Sequence, residues 1–200
     1  MRLVVAITGA TGAVLGVRIL EALRDLGVET HLVISRWGRV TLEQETGRTI
    51  GEVYALADHV YGHGDQAAAI SSGSFRTDGM IIVPCSMKTL AAVRTGYGEG
   101  LIPRAADVTL KERRRLVLVP RELPFSEIHL ENMLALTRMG VVIAAPVPAF
   151  YNHPSSVDDL VTHMCARILD QFGLELPEAI RWQDCLPRNR IPQPSTSEQR

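Results

Sequence analysis

Three short stretches of the chain combine glycine, hydroxyl and charged residues in a pattern typical of a phosphate-binding site. The first is AITGATGAVLG, residues 6–16, in which glycines at 9, 12 and 16 follow an apolar run. The second is PCSMKT, residues 84–89, and the third is VPRE, residues 119–122. A glycine turn between a strand and a helix lets backbone N–H groups at the helix N-terminus bind an anion. A nucleotide or another phosphate ester is therefore the predicted ligand.

The PCSMKT stretch carries one of only two lysines in the chain. The 21 basic residues include Lys88 and Lys111, and all the others are arginines. Ser86 and Thr89 flank Lys88 at the predicted start of a helix, where hydroxyls, backbone N–H groups and a cation together suit a phosphate. An ordinary N-cap beside a solvated lysine is the simpler interpretation, and the stretch alone leaves both open.

A dinucleotide site of the nicotinamide type is a poor match to these residues. Such a site carries an acidic residue at the end of the second strand, where this chain has Ser35 and Arg36. Arg36 suits the 2′-phosphate of NADP, so this position does not exclude an NADP enzyme. Reductases with similar glycine loops generally use a Tyr-x-x-x-Lys pair, but the tyrosine positions of such a pair hold Pro84 and Asp107. Because no tyrosine stands four residues before either lysine, the chain cannot contain that pair. A Walker loop is excluded as well, since it requires a lysine directly after the glycines and neither lysine is there.

Other residues with reactive side chains fit structural roles better. Cys85 lies at a predicted strand end without a legible histidine–aspartate arrangement, which favours a buried structural thiol. His59 and His63 have i, i+4 spacing, but neighbouring glycines argue against a helix, so no metal site is predicted there. Trp37, directly after the second strand, either covers a ligand or contacts another subunit.

The elements that must position these residues alternate between strands and helices. Five short runs rich in valine and isoleucine resemble strands buried on both faces; they are 3–8, 30–34, 80–83, 116–119 and 141–144. Helical spacing marks 17–26, 38–46, 87–94, 105–114, 128–139 and 157–172, the last with a predicted capped start at Ser155 and Ser156. The alternation predicts a three-layer, doubly wound α/β fold with a mostly parallel sheet. Because such sheets bind ligands at the carboxyl ends of their strands, the three stretches are expected to converge there.

Composition indicates small-molecule chemistry in a single domain. Two hundred residues with 46% hydrophobic content suffice for one core, expected over residues 1–185, with a polar, proline-rich tail over 186–200. A net charge of -1 gives no basis for binding nucleic acid or an anionic membrane, and no membrane-spanning segment is predicted. Three widely spaced cysteines fit no disulfide framework, so we expect a cytoplasmic protein with reduced thiols.

Several blocks in unbroken order resemble the flavin prenyltransferases of the UbiX type, including forms encoded beside non-oxidative decarboxylases of phenolic acids. The blocks are TGATGAVLG, SSGSF with TDGMIIVPCSMKTLA, RAADVTLKERRRLVLVPRE, and HLENML followed by PVPAFY. The resemblance implies a flavodoxin-like subunit that joins dimethylallyl phosphate to reduced FMN across N5 and C6. It also implies a metal-independent reaction, a dodecamer with active sites at subunit junctions, and a UbiD-type decarboxylase that receives the prenylated FMN.

The resemblance assigns roles to individual residues. By position, the FMN-binding residues are Gly9, Ala10, Thr11, Ser35, Ser86, Met87, Lys88, Thr89 and Arg121. The residues for dimethylallyl phosphate are Arg104, Lys111, Glu122, Tyr151 and Arg167, and catalytic roles fall to Glu45, Thr11, Tyr151, Arg121 and Glu122. Two positions depart from the family pattern, because Leu15 stands where many members have tyrosine and Gln66 where some have an aromatic residue beside the prenyl group.

The assigned residues suit transfer of an allylic group away from a phosphate. The Tyr151 phenol and four cations would stabilise negative charge on the departing phosphate; the cations are Arg104, Lys111, Arg121 and Arg167. Closure of the new ring requires a base for the C6 proton, and either Glu45 or the phosphate could take it. The arginines at 113–115 fit the solvated end of a helix better than a site.

Two other functions stay open on the residues alone. One is an FMN-binding small subunit, or flavin carrier, of a non-oxidative hydroxyarylic acid decarboxylase. The other is a flavin-dependent decarboxylase of cysteinyl substrates. That class usually has a catalytic histidine after an early helix and an Asn-containing loop where this chain has PCSMKT, and neither feature is evident.

Overall fold

A computed structural model describes residues 1–186 and shows a six-stranded sheet in the order β3-β2-β1-β4-β5-β6. The strands are β1 (Arg2–Ile7), β2 (Glu29–Ile34), β3 (His59–Tyr61), β4 (Gly79–Cys85), β5 (Arg115–Pro120) and β6 (Val142–Ile143). All five strand pairings are parallel. The strands therefore share one carboxyl edge and one amino edge. Of the predicted tail, only Leu186 belongs to the described residues.

Helices cover both faces of this sheet, which gives the three layers that the sequence predicts. They are α1 (Ala13–Asp25), α2 (Arg36–Thr46), α3 (Ile50–Tyr54), α4 (Met87–Thr95), α5 (Leu101–Lys111), α6 (Glu127–Arg138), α7 (Val157–Leu169) and α8 (Trp182–Cys185). One core joins α1, α2, α3 and α7 to one face, and a second core joins α4, α5 and α6 to the other. Within residues 1–186, no helix is both long enough and apolar enough to cross a membrane.

Three short elements escaped the sequence prediction, and two helices begin four residues earlier than expected, α1 at Ala13 instead of residue 17 and α5 at Leu101. β3, α3 and α8 have three to five residues each, too few for a recognisable period, and β3 is a partly exposed edge strand. α5 begins at Leu101 instead of residue 105 because Pro103 lies in its first turn, where a missing N–H costs nothing. The capped start of α7 is confirmed: Ser156 accepts a hydrogen bond from the backbone N–H of Asp159.

Gly16, the last glycine of the first stretch, lets α1 lie directly against the sheet. A Cβ atom at this position would stand 2.7 Å from the carbonyl oxygen of Val83 in β4 and 3.0 Å from the side chain of Ile7. The carbonyl belongs to the rigid centre of the sheet, so it cannot move aside cheaply. This glycine therefore serves helix–sheet packing rather than phosphate binding.

Replacing Gly16 by alanine is expected to destabilise the fold by about 1–3 kcal/mol, because the added methyl overlaps a backbone carbonyl. Urea unfolding of the two proteins measures this difference. Gly51→Ala is the matched control, since a Cβ at Gly51 on α3 meets nothing within 4 Å. The control should be neutral or stabilising by about 0.5–1 kcal/mol. Equal stability of Gly16→Ala and wild type would contradict the packing role.

Candidate functional site

The loops after β1 and β4 are joined by a buried residue that the sequence prediction missed, Thr8. Its hydroxyl donates to the carbonyl oxygen of Pro84 at 2.8 Å and accepts from the backbone N–H of Ser86 at 2.8 Å. β1 and β4 flank the point where the chain crossings change direction, which is where open α/β sheets bind ligands. The only sequence signal for Thr8 is a hydroxyl at the end of a buried apolar run.

The loop after β2 packs against the same place. The backbone N–H of Ser35 donates to the carbonyl oxygen of Ile7 at 2.9 Å, and its hydroxyl caps α2 by accepting from the N–H of Gly38 at 3.0 Å. A Cβ at Gly38 would stand 2.6 Å from the carbonyl oxygen of Ile7, and one at Gly9 would stand 2.4 Å from Cβ of Trp37. Both positions therefore require glycine, because a side chain at either one would push apart the loops after β1 and β2.

Glu45 extends from α2 to the N-terminus of α1. Its Oε2 atom accepts hydrogen bonds from the backbone N–H groups of Gly12 and Ala13, each at 2.8 Å. A carboxylate thus occupies the helix end that the glycine pattern predicts for a phosphate, and the favourable end of the helix dipole stabilises it there. Glu45 is placed beside the Gly9–Thr11 loop and is not a detached surface residue of α2.

The second and third stretches meet at the ends of β4 and β5. Ser86 caps α4 by accepting from the N–H of Thr89 at 3.3 Å, and its hydroxyl lies 3.1 Å from the Thr89 hydroxyl. The backbone N–H of Arg121 donates to the carbonyl oxygen of Cys85 at 3.3 Å, and the Arg121 side chain is exposed. The structure therefore brings the whole predicted FMN set, Gly9 to Arg121, to one edge of the sheet, with Glu122 next to Arg121.

Tyr151 and Arg167 share a second location, beyond the end of β6. Both line a cavity of about 280 Å³ together with His163 of α7. The Tyr151 hydroxyl lies 3.3 Å from Nε2 of His163, whose pKa is lowered by burial and by the nearby charges of Arg167 and Arg181. A larger cavity of about 790 Å³ between α1, α7 and residues 176–180 contains none of the predicted site residues.

Arg104 and Lys111 lie away from the other predicted cations. Both are on α5, and α4 separates α5 from α6 on that face of the sheet. Arg104 donates to the carbonyl oxygen of Ser71 at 3.1 Å and pairs with Asp107 at 2.7 Å. Lys111 pairs with Glu112 close to the start of β5, at the amino edge. One chain therefore brings together the residues predicted to bind FMN but keeps apart the residues predicted to bind dimethylallyl phosphate.

The remaining candidates have ordinary surroundings. Cys85 is fully buried, and burial raises the pKa of its thiol, as expected for a structural cysteine. Leu15 is buried in the α1 core, where a larger tyrosine would have to repack the neighbours. Gln66 is exposed and donates to the carbonyl oxygen of Gly98 at 3.1 Å. Trp37 is 69% exposed and lies beside Gly9, in the loop after β1.

Thr8→Val is expected to weaken the contact between the loops after β1 and β4, because it leaves the backbone N–H of Ser86 without its acceptor. The predicted cost is about 1–3 kcal/mol in the free energy of unfolding, together with weaker FMN binding. Urea unfolding and FMN titration measure the two effects. Thr8→Ser keeps the hydroxyl and should retain the affinity for FMN. If Thr8→Val bound FMN as tightly as Thr8→Ser, the hydroxyl would not organise the site.

Comparison with known proteins places this geometry in a family. A family model described as Flavoprotein matches residues 1–169. A relative from Streptomyces sp. (strain D7), named a probable UbiX-like flavin prenyltransferase, is 70% identical over 183 residues, covering 91% of this chain and 92% of the relative. A structure from Escherichia coli O157:H7, described as a dodecameric FMN-dependent UbiX-like decarboxylase, is 65% identical with a TM-score of 0.91, covering 92% of this chain and 100% of that chain.

A UbiX structure solved in complex with FMN and dimethylallyl pyrophosphate is also similar. It is 58% identical with a TM-score of 0.90, covering 90% of this chain and 96% of that chain. A peptidyl-cysteine decarboxylase, by contrast, is only 14% identical with a TM-score of 0.57, so that likeness shows a shared fold alone.

Proposed function

The chain belongs to the UbiX-like flavin prenyltransferases, and we propose that it joins the dimethylallyl group of dimethylallyl phosphate to N5 and C6 of reduced FMN. The observation that carries this proposal is the meeting of three loops at the carboxyl edge, where Thr8 ties the Gly9–Thr11 loop to Ser86. The product, prenylated FMN, is the cofactor of a UbiD-type decarboxylase, which we propose as its recipient.

Flavin binding rests on the predicted residues of that edge. Thr11 and the Ser86–Thr89 turn present hydroxyl and backbone N–H groups, and the exposed Arg121 and Lys88 side chains add positive charge. Ser35 adds a third hydroxyl, at the start of α2. This combination suits the single phosphate and the polar ring edge of FMN better than an adenine dinucleotide, since no acidic side chain follows β2.

Departure of the prenyl phosphate needs positive charge near its oxygens. Arg121 and Glu122 follow β5, and Arg167 lines a cavity with Tyr151. Tyr151 can donate its phenolic proton to a phosphate oxygen, and His163 at 3.3 Å orients that hydroxyl. Positive charge arranged before the reaction stabilises the phosphate as the carbon–oxygen bond breaks, without the cost of reorganising water.

Glu45 is the residue that we propose as the acceptor of the C6 proton. Its Oε2 atom accepts hydrogen bonds from two N–H groups at the N-terminus of α1, and its Oε1 atom remains to accept a proton. The two hydrogen bonds also orient the carboxylate next to the flavin loop, and a base must be so positioned to act efficiently. The departing phosphate is the other base available in this proposal.

Neighbouring chains supply the missing phosphate ligands in this proposal. Arg104 and Lys111 cannot join Tyr151 within one chain, since both lie on α5, on the other face of the sheet, and Lys111 is also at the opposite edge. Large apolar side chains around the carboxyl-edge loops and α6 are exposed, which is typical of a subunit interface; they include Trp37, Leu123, Ile128, Val147 and Phe150. We therefore propose a dodecamer in which each site forms between subunits.

The cytoplasm is the location that we propose. Reduced FMN is maintained in a reducing compartment, and the three cysteines of the described residues are all free thiols. The catalytic unit that we propose is the domain formed by residues 1–185.

Incubation with reduced FMN and dimethylallyl phosphate should give a flavin heavier by one C5H8 unit in mass spectrometry. Glu45→Gln should keep FMN bound but lower the rate of product formation by about a hundredfold or more, the size expected for loss of a general base. Glu43→Gln, on an exposed part of the same helix, is the matched control.

Two results would change the assignment. A wild-type protein that is fully loaded with FMN and forms no heavier flavin would favour the alternative, an FMN-binding subunit or flavin carrier of a decarboxylase. A Glu45→Gln variant with the wild-type rate would assign proton removal to the phosphate.

Subunit sharing of the site predicts complementation between two inactive chains. Lys111→Ala and Arg121→Ala should each form little product alone, and co-assembly in one oligomer should restore activity because some sites then hold both wild-type residues. Arg121→Ala with Ser86→Ala is the control, since both residues lie at the same edge of one chain and should not complement. Failure of the first pair to complement in verified mixed oligomers would contradict a shared site.

A further inference from the structure

A second group of polar side chains lies on β2 and β3, away from the flavin loops. Glu29 and His31 are two residues apart on β2, so they project from the same face of the sheet, and His59 on β3 is the register partner of His31. Glu29 is the first residue of β2, which places the group at the amino edge. Neither the proposed reaction nor the flavin site uses these three residues.

The three side chains converge on one point. Oε1 of Glu29 lies 3.0 Å from Nε2 of His31 and 3.5 Å from Nε2 of His59. The imidazole rings stack with centroids 4.5 Å apart, so both can direct a nitrogen at the same carboxylate. One ligand atom from each residue lies within 4.8 Å of the other two. In a tetrahedral zinc site with bonds of about 2.0–2.1 Å, ligand atoms are about 3.3 Å apart, and the two distances from Glu29 to the imidazole nitrogens match this value.

The surroundings of His31 resemble the outer shell of a metal site. Its other ring nitrogen, Nδ1, lies 2.9 Å from the hydroxyl of Tyr61, and its ring forms a T-shaped pair with Phe75, with the ring centroids 5.1 Å apart. Metal-binding histidines typically hydrogen-bond through the nitrogen that does not bind the metal, which fixes the ring and its tautomer. Without a metal, Nε2–H of His31 can donate to Glu29 while Nδ1 accepts from the Tyr61 hydroxyl. Binding of a cation at Nε2 would require the other tautomer, with the proton on Nδ1 donated to Tyr61.

We propose that Glu29, His31 and His59 bind one divalent cation of the zinc class, with a fourth position open to water. Two imidazoles and one carboxylate are ligands that zinc prefers. The cation would link His59 of the short edge strand β3 to β2. The two strands share only three residue pairs. The role of the cation is therefore structural, because the amino edge is opposite to the flavin site.

Arg2 is the competitor for this site within the chain. Its Nε atom donates to Oε1 of Glu29 at 2.8 Å, and its guanidinium lies over the Phe75 ring. A cation must share the carboxylate with Arg2 or displace it, which lowers the affinity. The contrasting interpretation is a purely hydrogen-bonded network of Arg2, Glu29 and the histidines, which needs no metal.

Isothermal titration of Zn²⁺ into the metal-stripped, FMN-loaded full chain distinguishes the two interpretations. Wild type should bind one Zn²⁺ per chain and unfold at a higher temperature with zinc than with chelator, since a ligand of the native state stabilises it. His59→Gln should bind Zn²⁺ about tenfold or more weakly, and Arg2→Gln should bind it more tightly because the competing guanidinium is gone. His63→Gln, an exposed histidine nearby, should match wild type.

Unfolding temperatures measured in chelator separate the loss of a bound metal from a folding defect. Without metal, His59→Gln should unfold at the same temperature as wild type. Absence of zinc binding by wild type would overturn the proposal. So would a His59→Gln affinity equal to that of wild type, or an Arg2→Gln affinity below it, since the hydrogen-bonded network alone predicts no gain from removing Arg2.

Discussion

The hydroxyl of Thr8 is the interaction on which the flavin edge depends. It is buried at the end of β1 and makes both of its hydrogen bonds to the end of β4, where it donates to the carbonyl oxygen of Pro84 and accepts from the N–H of Ser86, each at 2.8 Å. At this point the chain crossings diverge to opposite faces of the sheet, which is where open α/β sheets bind their ligands. The two hydrogen bonds of Thr8 fix the loop after β4 against the loop after β1, so the polar groups of both loops lie at one place on the carboxyl edge.

Close approach of backbones is the second constraint. Gly9, Gly16 and Gly38 each stand where a Cβ would come within 2.7 Å of a neighbouring atom. Two of these glycines let the loops after β1 and β2 pack together, and the third lets α1 touch β4. The glycine pattern at the start of the chain thus reflects packing as much as ligand binding, and the helix end that it forms is taken by the Glu45 carboxylate.

Positive charge is divided between places that one chain keeps apart. Arg121 stands at the flavin edge, Arg167 lines the cavity beside Tyr151, and Lys111 lies at the amino edge. The separation avoids concentrating like charges in a single subunit, where their repulsion would oppose folding. It also makes the proposed site dependent on assembly, which accords with the exposed apolar side chains of the loops.

The sequence by itself determined the layer architecture, the order of the long elements and the polar stretches that follow β1, β4 and β5 at the carboxyl edge. Parallel strands buried on both faces must be continuous apolar runs, and ligand residues must follow them at the carboxyl ends. The short elements β3, α3 and α8 could not be predicted because three to five residues carry no period.

Contacts between distant residues were decided only by the tertiary structure. Thr8 with Ser86, Glu45 with Gly12, and His31 with His59 are pairs separated by 78, 33 and 28 residues. No local pattern records such pairs, because they arise from strand register and helix packing. The sequence relates His59 only to His63, at i, i+4 spacing, whereas parallel pairing places His59 beside His31 on the neighbouring strand.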